Sequence, residues 1–240
     1  MNCNIRNKAI FKAAGIAAAA VIFCAGCDDK GTSGGGGGGR NGDGDNPGVV
    51  YGPPVTYGGQ IYQTVKIGTQ TWFAENLNYN AEGSKCYGED RALGADDTAL
   101  SPAEVQANCA KYGRLYDWET ALTVCPAGWH LPDTTEWNRL ENAAGGRSTA
   151  GKKLKSTSGW RGNGTNQFGF SALPGGYGNE GNGIQGSYSY VDEYGYWWTA
   201  SSKVKNYAAL YRFMCCGLAG VGMGEDGYLT HLISVRCVQN

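Results

Sequence analysis

Residues 125–137 read Cys125-Pro126-Ala127-Gly128-Trp129-His130-Leu131-Pro132-Asp133-Thr134-Thr135-Glu136-Trp137. Gly128 to Leu131 reads as a short buried-type strand. Pro132 stops it, because the residue before a proline is pushed to extended backbone. Asp133 then stands as a helix N-cap, and Glu136 completes a capping-box pair three residues on. Trp137, Leu140 and Ala144 mark the apolar face of that helix, and Gly145-Gly146 closes it.

Upstream, Trp118, Ala121, Leu122 and Cys125 recur at i, i+3, i+4 and i+7, which predicts a helix with one buried stripe, ended by Pro126. Ser101-Pro102-Ala103-Glu104 is a further helix start within the irregular stretch 86–108. Val105, Cys109 and Tyr112 share its inner face. Earlier still, Ile61–Ile67 and Gln70–Asn76 flank Gly68-Thr69, which predicts a hairpin over 57–79. After the two main helices the chain is rich in glycine and aromatics, as strands and loops, and Leu232–Val238 reads as the last strand.

The N-terminus is a targeting segment. Arg6, Lys8 and Lys12 form a basic region, and Ala13–Ala25 is apolar but too short to span a bilayer. It ends in Phe23-Cys24-Ala25-Gly26-Cys27, which resembles a bacterial lipobox. Residues 1–26 are thus a lipoprotein signal peptide and Cys27 is the lipid-attachment residue. A diacylated, N-acylated Cys27, with chains such as palmitate, would be a permanent anchor at about 0.8 kcal/mol per buried CH₂. Asp28-Asp29 follows; acids here resemble the surface-export signal of Bacteroidetes lipoproteins, whereas in enterobacteria they mean inner-membrane retention. Residues 27–56, with the Gly34–Gly39 run and Pro53-Pro54, read as a flexible tether. Asp43 and Asp45 do not make a calcium loop, since Pro47 takes a ligand position.

Residues 57–240 are one domain's worth of chain. Removal of the signal leaves 17 bases against 21 acids, a net charge near −4. A mildly acidic chain without a basic stripe argues against nucleic-acid binding. Six cysteines remain beyond Cys27: Cys86, Cys109, Cys125, Cys215, Cys216 and Cys237. An even count in an exported domain reads as disulfides. Zinc is disfavoured, for want of a CxxC pair and with only His130 and His231 present. No metal and no cofactor is expected.

Several of these segments carry a family resemblance: Gln70–Leu77, Tyr112–Trp118, Cys125–Trp137, Gln167–Phe170 with Leu173–Tyr177, Trp197–Ser201 and Val235–Val238. In this order they resemble the Fibrobacter succinogenes major paralogous domain, which is itself similar to the formylglycine-generating-enzyme version of the C-type-lectin-like fold. The resemblance implies an α+β domain over 57–240, with two main helices and a mixed, loop-rich set of strands. It also implies that a cysteine pair brackets the 86–109 insertion, and that the last strand returns beside the first hairpin. The expected bridges are therefore Cys86–Cys109 and Cys125–Cys237. Cys215 and Cys216 stay open between a strained ring, free thiols and other pairing. The calcium motifs of sugar-binding C-type lectins are missing from the sequence.

For a ligand site, Tyr188, Tyr190, Tyr194, Tyr196 and Trp198 all lie at even positions, so two strand pieces around Asp192-Glu193 would put them on one face. Exposed rings with nearby carboxylates suit carbohydrate; buried ones would be core. Trp160 and Arg161, with Asn163, lie in a loop run expected on the ligand side of such a fold. Asp192-Glu193 and Glu225-Asp226 are adjacent pairs and do not suggest a hydrolase. The expectation is a non-catalytic, lipid-anchored outer-membrane or surface protein that binds polysaccharide or another surface protein. The alternatives are an oxidase resembling the formylglycine-generating enzyme, through Cys215 and Cys216, and a structural envelope protein.

Overall fold

A computed structural model describes residues 48–90, 100–162, 164–179, 187–204 and 207–240. The described chain opens with three strands, β1 (Val50–Tyr57), β2 (Gln60–Ile67) and β3 (Gln70–Phe73). Helix α1 (Pro102–Tyr112), strand β4 (Leu115–Tyr116), helix α2 (Trp118–Thr123) and strand β5 (Trp129–His130) follow. Helices α3 (Thr134–Ala143) and α4 (Arg147–Leu154) come next. The remainder is β6 (Gly175–Asn179), β7 (Ser187–Val191), β8 (Tyr194–Val204), β9 (Ala208–Cys215), β10 (Gly222–Tyr228), β11 (His231–Ser234) and β12 (Val238–Gln239).

The result is an α+β domain of two sheets. The smaller runs β1-β2-β3-β12-β5; the larger runs β10-β9-β8-β11-β6-β7, with β4 pairing β11. The expected hairpin is β2–β3. A second hairpin precedes it, turning through Gly58 and Gly59, both at positive φ (57° and 79°), the requirement of a type I′ turn. Strand β1 thus takes residues 50–56 out of the predicted tether. Its prolines are tolerated because β1 is an edge strand, with a register shift between Gly52 and Val55. Residues 27–47, the greater part of that tether, lie outside the described residues.

Both predicted capping boxes form, Ser101 with Glu104 at α1 and Asp133 with Glu136 at α3. The helix predicted at 118–125 is shorter. It is capped by Asp117 and ends at Thr123, which leaves Leu122 outward and exposed rather than in a buried stripe. Glycines 145 and 146 do close α3, but α4 starts at once from Gly146, so among the described residues four helices stand in place of the expected two main ones plus one. The last strand is also divided. Residues 231–234 pair in the larger sheet, Val235–Cys237 cross between sheets, and Val238 pairs with Trp72 and His130 in the smaller.

That crossing segment joins two cores. One packs Trp72, Trp137, Phe170, Trp197 and Met214; the other packs Tyr62, Phe73, Tyr116, Trp198, Ile233 and Cys237. Arg236 lies between them, fully buried. Its guanidinium donates to Asn76 Oδ1 (2.7 Å), Phe170 O (2.6 Å) and Phe73 O (3.2 Å). Asn76 Oδ1 also accepts from Trp197 Nε1 at 2.8 Å, and Asn76 Nδ2 donates to Tyr112 O. Burial depresses the Arg236 pKa to about 9, and carbonyl and amide oxygens replace the lost water.

Both expected disulfides are present. Cys86–Cys109 has a Cα separation of 5.0 Å and Cys125–Cys237 one of 5.9 Å. Cys216 is a free thiol, which excludes a Cys215–Cys216 ring.

Candidate functional site

Strands β8 and β9 pair antiparallel with Tyr196 opposite Phe213 and Trp198 opposite Tyr211. Facing residues share a side of a sheet, so these four rings lie on one face. Trp197 and Arg212 point to the other, where Arg212 pairs with Glu141 of α3 at 2.7 Å. On the aromatic face, Trp198 is fully buried within the second core, its Nε1 donating to Tyr116 O. Toward Tyr194 the cover ends, and the rings reach solvent.

The partly exposed cluster comprises Tyr177, Tyr190, Tyr194, Tyr196, Tyr211 and Phe213. Tyr194 and Tyr196 stack at 5.6 Å with planes 9° apart. Tyr177 meets Tyr196 edge-on at 5.5 Å and Tyr190 in a stacked pair at 6.0 Å. Tyr190 also touches Tyr194 at 5.2 Å. Tyr211 meets Tyr196 and Phe213. Such offset and edge contacts are the favoured geometries of aromatic pairs. Burial pushes the phenol pKa values of Tyr196 and Tyr211 well upward and raises that of Tyr177, so these rings stay neutral.

Glycines on the next strand let the rings lie down. A Cβ at Gly222 would stand 2.1 Å from the Phe213 ring, and one at Gly224 2.0 Å from that of Tyr211. With hydrogen there instead, each ring rests on β10. Asp226 follows on the same strand and accepts from Tyr211 Oη at 3.0 Å.

Of the sequence-predicted residues, Tyr190, Tyr194 and Tyr196 are brought together here. Tyr188 is not. It is 7% exposed, packs on Tyr87 at 5.2 Å, and donates its hydroxyl to Glu89 O. Tyr188 and Tyr190 part despite their shared parity because Tyr190 has a left-handed backbone, φ 64°. Alternation breaks there, and the Tyr190 ring swings to the Tyr177 side; a non-glycine residue in this region is uncommon. Trp160 is a second correction. It is buried in the first core, with Nε1 bonded to Ala172 O at 2.8 Å and the Lys155 ammonium 5.1 Å above the ring. Arg161 is exposed and pairs with Glu193 at 3.8 Å, at the β7–β8 turn beside the cluster. The lipid-attachment residue Cys27 lies outside the described residues.

Sequence reasoning missed Tyr177, Tyr211, Phe213, Tyr228, His231 and Asp226. One signal existed: Tyr211 and Phe213 alternate, as do Gly222 and Gly224 a few residues later, the pattern of rings laid across glycines on a neighbouring strand. Elsewhere, Arg212 is the cation nearest Cys216 in the sequence, but it is not the one beside it in space. That one is Lys155, whose Nζ donates to Cys215 O and Leu218 O (both 2.9 Å), while Arg212 turns away to Glu141.

No curated protein and no solved structure matches the chain. The model of the Fibrobacter succinogenes major domain matches residues 65–239. That is well over half of the sequence, from inside β2 to β12, and it holds the larger sheet, the smaller one without β1 and most of β2, both bridges and the aromatic face. The chain belongs to the Fibrobacter succinogenes major domain family.

Proposed function

We propose that this chain is an exported lipoprotein, anchored through Cys27 to the outer membrane with its domain toward the outside, and that it binds a glycan on the aromatic face of the larger sheet without catalysis. The observation that carries the glycan reading is the contiguous, solvent-reaching group of Tyr190, Tyr194, Tyr196, Tyr177, Tyr211 and Phe213. A patch of rings left open on a soluble surface is a recognition feature. Tyrosine supplies a flat apolar area for sugar CH groups, and hydroxyl and carboxylate edges for sugar OH groups. The signal-like N-terminus and the two disulfides support an exported, oxidising address. A C-type-lectin-like topology is proposed from the motif order. An oxidase of the formylglycine-generating kind would need two nearby thiols; Cys216 is the free one among the described residues, which weighs against it.

Pull-down on insoluble cellulose, xylan, mannan and chitin tests this. Wild type should be retained by at least one polymer. Tyr190→Ala should lose retention while its stability stays within about 0.5 kcal/mol, since the residue is exposed. Tyr188→Ala should instead cost roughly 3–5 kcal/mol, as truncation of a buried aromatic does. Wild type retained by none of the polymers, or Tyr190→Ala retained as well as wild type, would refute the reading.

A further inference from the structure

The aromatic face does not end at the cluster. Tyr177 also meets His231 at 5.7 Å, His231 meets Tyr228 at 5.2 Å, and Tyr228 meets Tyr207 at 5.7 Å. Rings therefore follow one another without a gap from Tyr207 through Tyr228, His231 and Tyr177 to Tyr190 and Tyr194. Three of its rings are well exposed, Tyr207 at 59%, Tyr228 at 50% and Tyr190 at 49%. A track of five centroid steps, each between 5.2 and 6.0 Å, is longer than one pyranose ring can cover.

The charges along this track are unequal. Asp192 is engaged by Lys111 at 3.5 Å and by the Tyr112 hydroxyl; Glu193 is paired with Arg161, and Glu225 with Lys203. Each has a cation. Asp226 is exposed, accepts from Tyr211, and meets no cation at ion-pair distance among the described residues. It stands on β10 two residues before Tyr228 and is bonded to Tyr211 of the cluster, which sets it beside the track, and its charge is felt at Tyr177 and His231 as well. A carboxylate there is acceptor-only. It rewards a ligand that brings hydroxyl donors, through charge-assisted hydrogen bonds, and repels one that brings carboxylates.

We propose that the face binds an uncharged glycan chain of several units, laid along the ring track from Tyr207 to Tyr194, with Asp226 as the residue that reads its hydroxyls and excludes uronate polymers. This rests on the glycan reading above and adds to it ligand length, ligand charge and the residue that sets them.

The test is affinity electrophoresis of the mature protein. Gels carry soluble neutral glucan, xylan or mannan, or polygalacturonate. Oligomers of the retarding polymer, from dimer to hexamer, serve as competitors. A neutral polymer should retard the protein and polygalacturonate should not. Competition should strengthen with each added unit. Asp226→Asn, which keeps the shape and removes the charge, should weaken hexamer binding about tenfold, equal to ~1.4 kcal/mol. Tyr228→Ala, at an exposed ring, should flatten the dependence on length. A dimer competing as well as a hexamer, retardation by polygalacturonate equal to that by a neutral polymer, or unaltered binding by Asp226→Asn would each overturn the proposal while leaving glycan binding intact. Wild type retarded by no polymer would overturn both this proposal and the reading beneath it.

Discussion

Histidine 231 shows how the aromatic face acts on single residues. Its ring sits between Tyr177 and Tyr228, with Asp226 the charged group nearby. Desolvation holds its pKa below the ordinary 6.5, against the opposing pull of Asp226. The folded state thus accepts the proton less readily than the unfolded chain. Above 6.5 both states are neutral and the contribution is fully present. As pH falls below 6.5 toward the lowered pKa, the unfolded chain binds more protons and stability is lost. Denaturant melts at about pH 7 and about pH 5 should therefore show a larger loss for wild type than for His231→Phe; equal losses would contradict the assignment. Single residues also mark where sequence reading stops. Tyr188 and Tyr190 are the same residue type at the same parity, and no periodicity separates them. What separates them is one left-handed backbone at Tyr190, fixed by the turn and by Tyr177. Trp160 in its glycine-rich loop looked like a surface anchor because the strand bridge that carries Lys155 against Ala172 is long-range.

At the level of elements, local chemistry was legible wherever it was self-contained. Helices α1 and α3 were readable from Ser101 with Glu104 and Asp133 with Glu136, since a cap is decided within four residues. Helix α4 was not, because its N-cap is Gly146 with no side-chain cap and its buried face is Ala150, Gly151 and Leu154. Ala150 and Leu154 enter the first core, while Gly151 meets Gly220, whose carbonyl would lie 2.1 Å from a Cβ there; both contacts are long-range. Strand β10 likewise has almost no strand propensity in Gly222-Met223-Gly224. Its glycines are instead the bed on which Phe213 and Tyr211 lie. Gly224→Ala should consequently tip the Tyr211 ring off β10 and loosen its bond to Asp226. The expected outcome is a changed near-ultraviolet circular dichroism spectrum with a stability loss of about 1–3 kcal/mol, the usual cost of overpacking. An unchanged spectrum would show that the ring does not rest there.

Across the whole molecule, the motifs that marked the family converge on the joint between the two sheets. Asn76, Trp197, Arg236 and Phe170 come from four of the six motif segments and meet in one buried network. This is why the sequence disclosed fold and family more readily than site: the recognisable residues build the core, whereas most of the aromatic face lies outside those segments. The Cys125–Cys237 bridge closes this joint across 112 residues, against 23 for Cys86–Cys109. Chain entropy then assigns about 5 and about 3 kcal/mol respectively. Cys125→Ala with Cys237→Ala should lower the denaturation midpoint more than the Cys86–Cys109 double variant, and the reverse order would contradict the role given to the joint. The central claim, a glycan on the tyrosine face, is tested most directly by tyrosine footprinting. Nitration mapped by mass spectrometry, with each neutral polysaccharide of the pull-down panel added in turn, should show protection of Tyr190 and Tyr228. Tyr51, 47% exposed on the edge strand of the other sheet, should stay reactive throughout. Protection of Tyr190 and Tyr228 with Tyr51 left reactive is the predicted result; undiminished nitration of Tyr190 and Tyr228 with every polymer, or loss of reactivity at Tyr51 to the same extent, would contradict it.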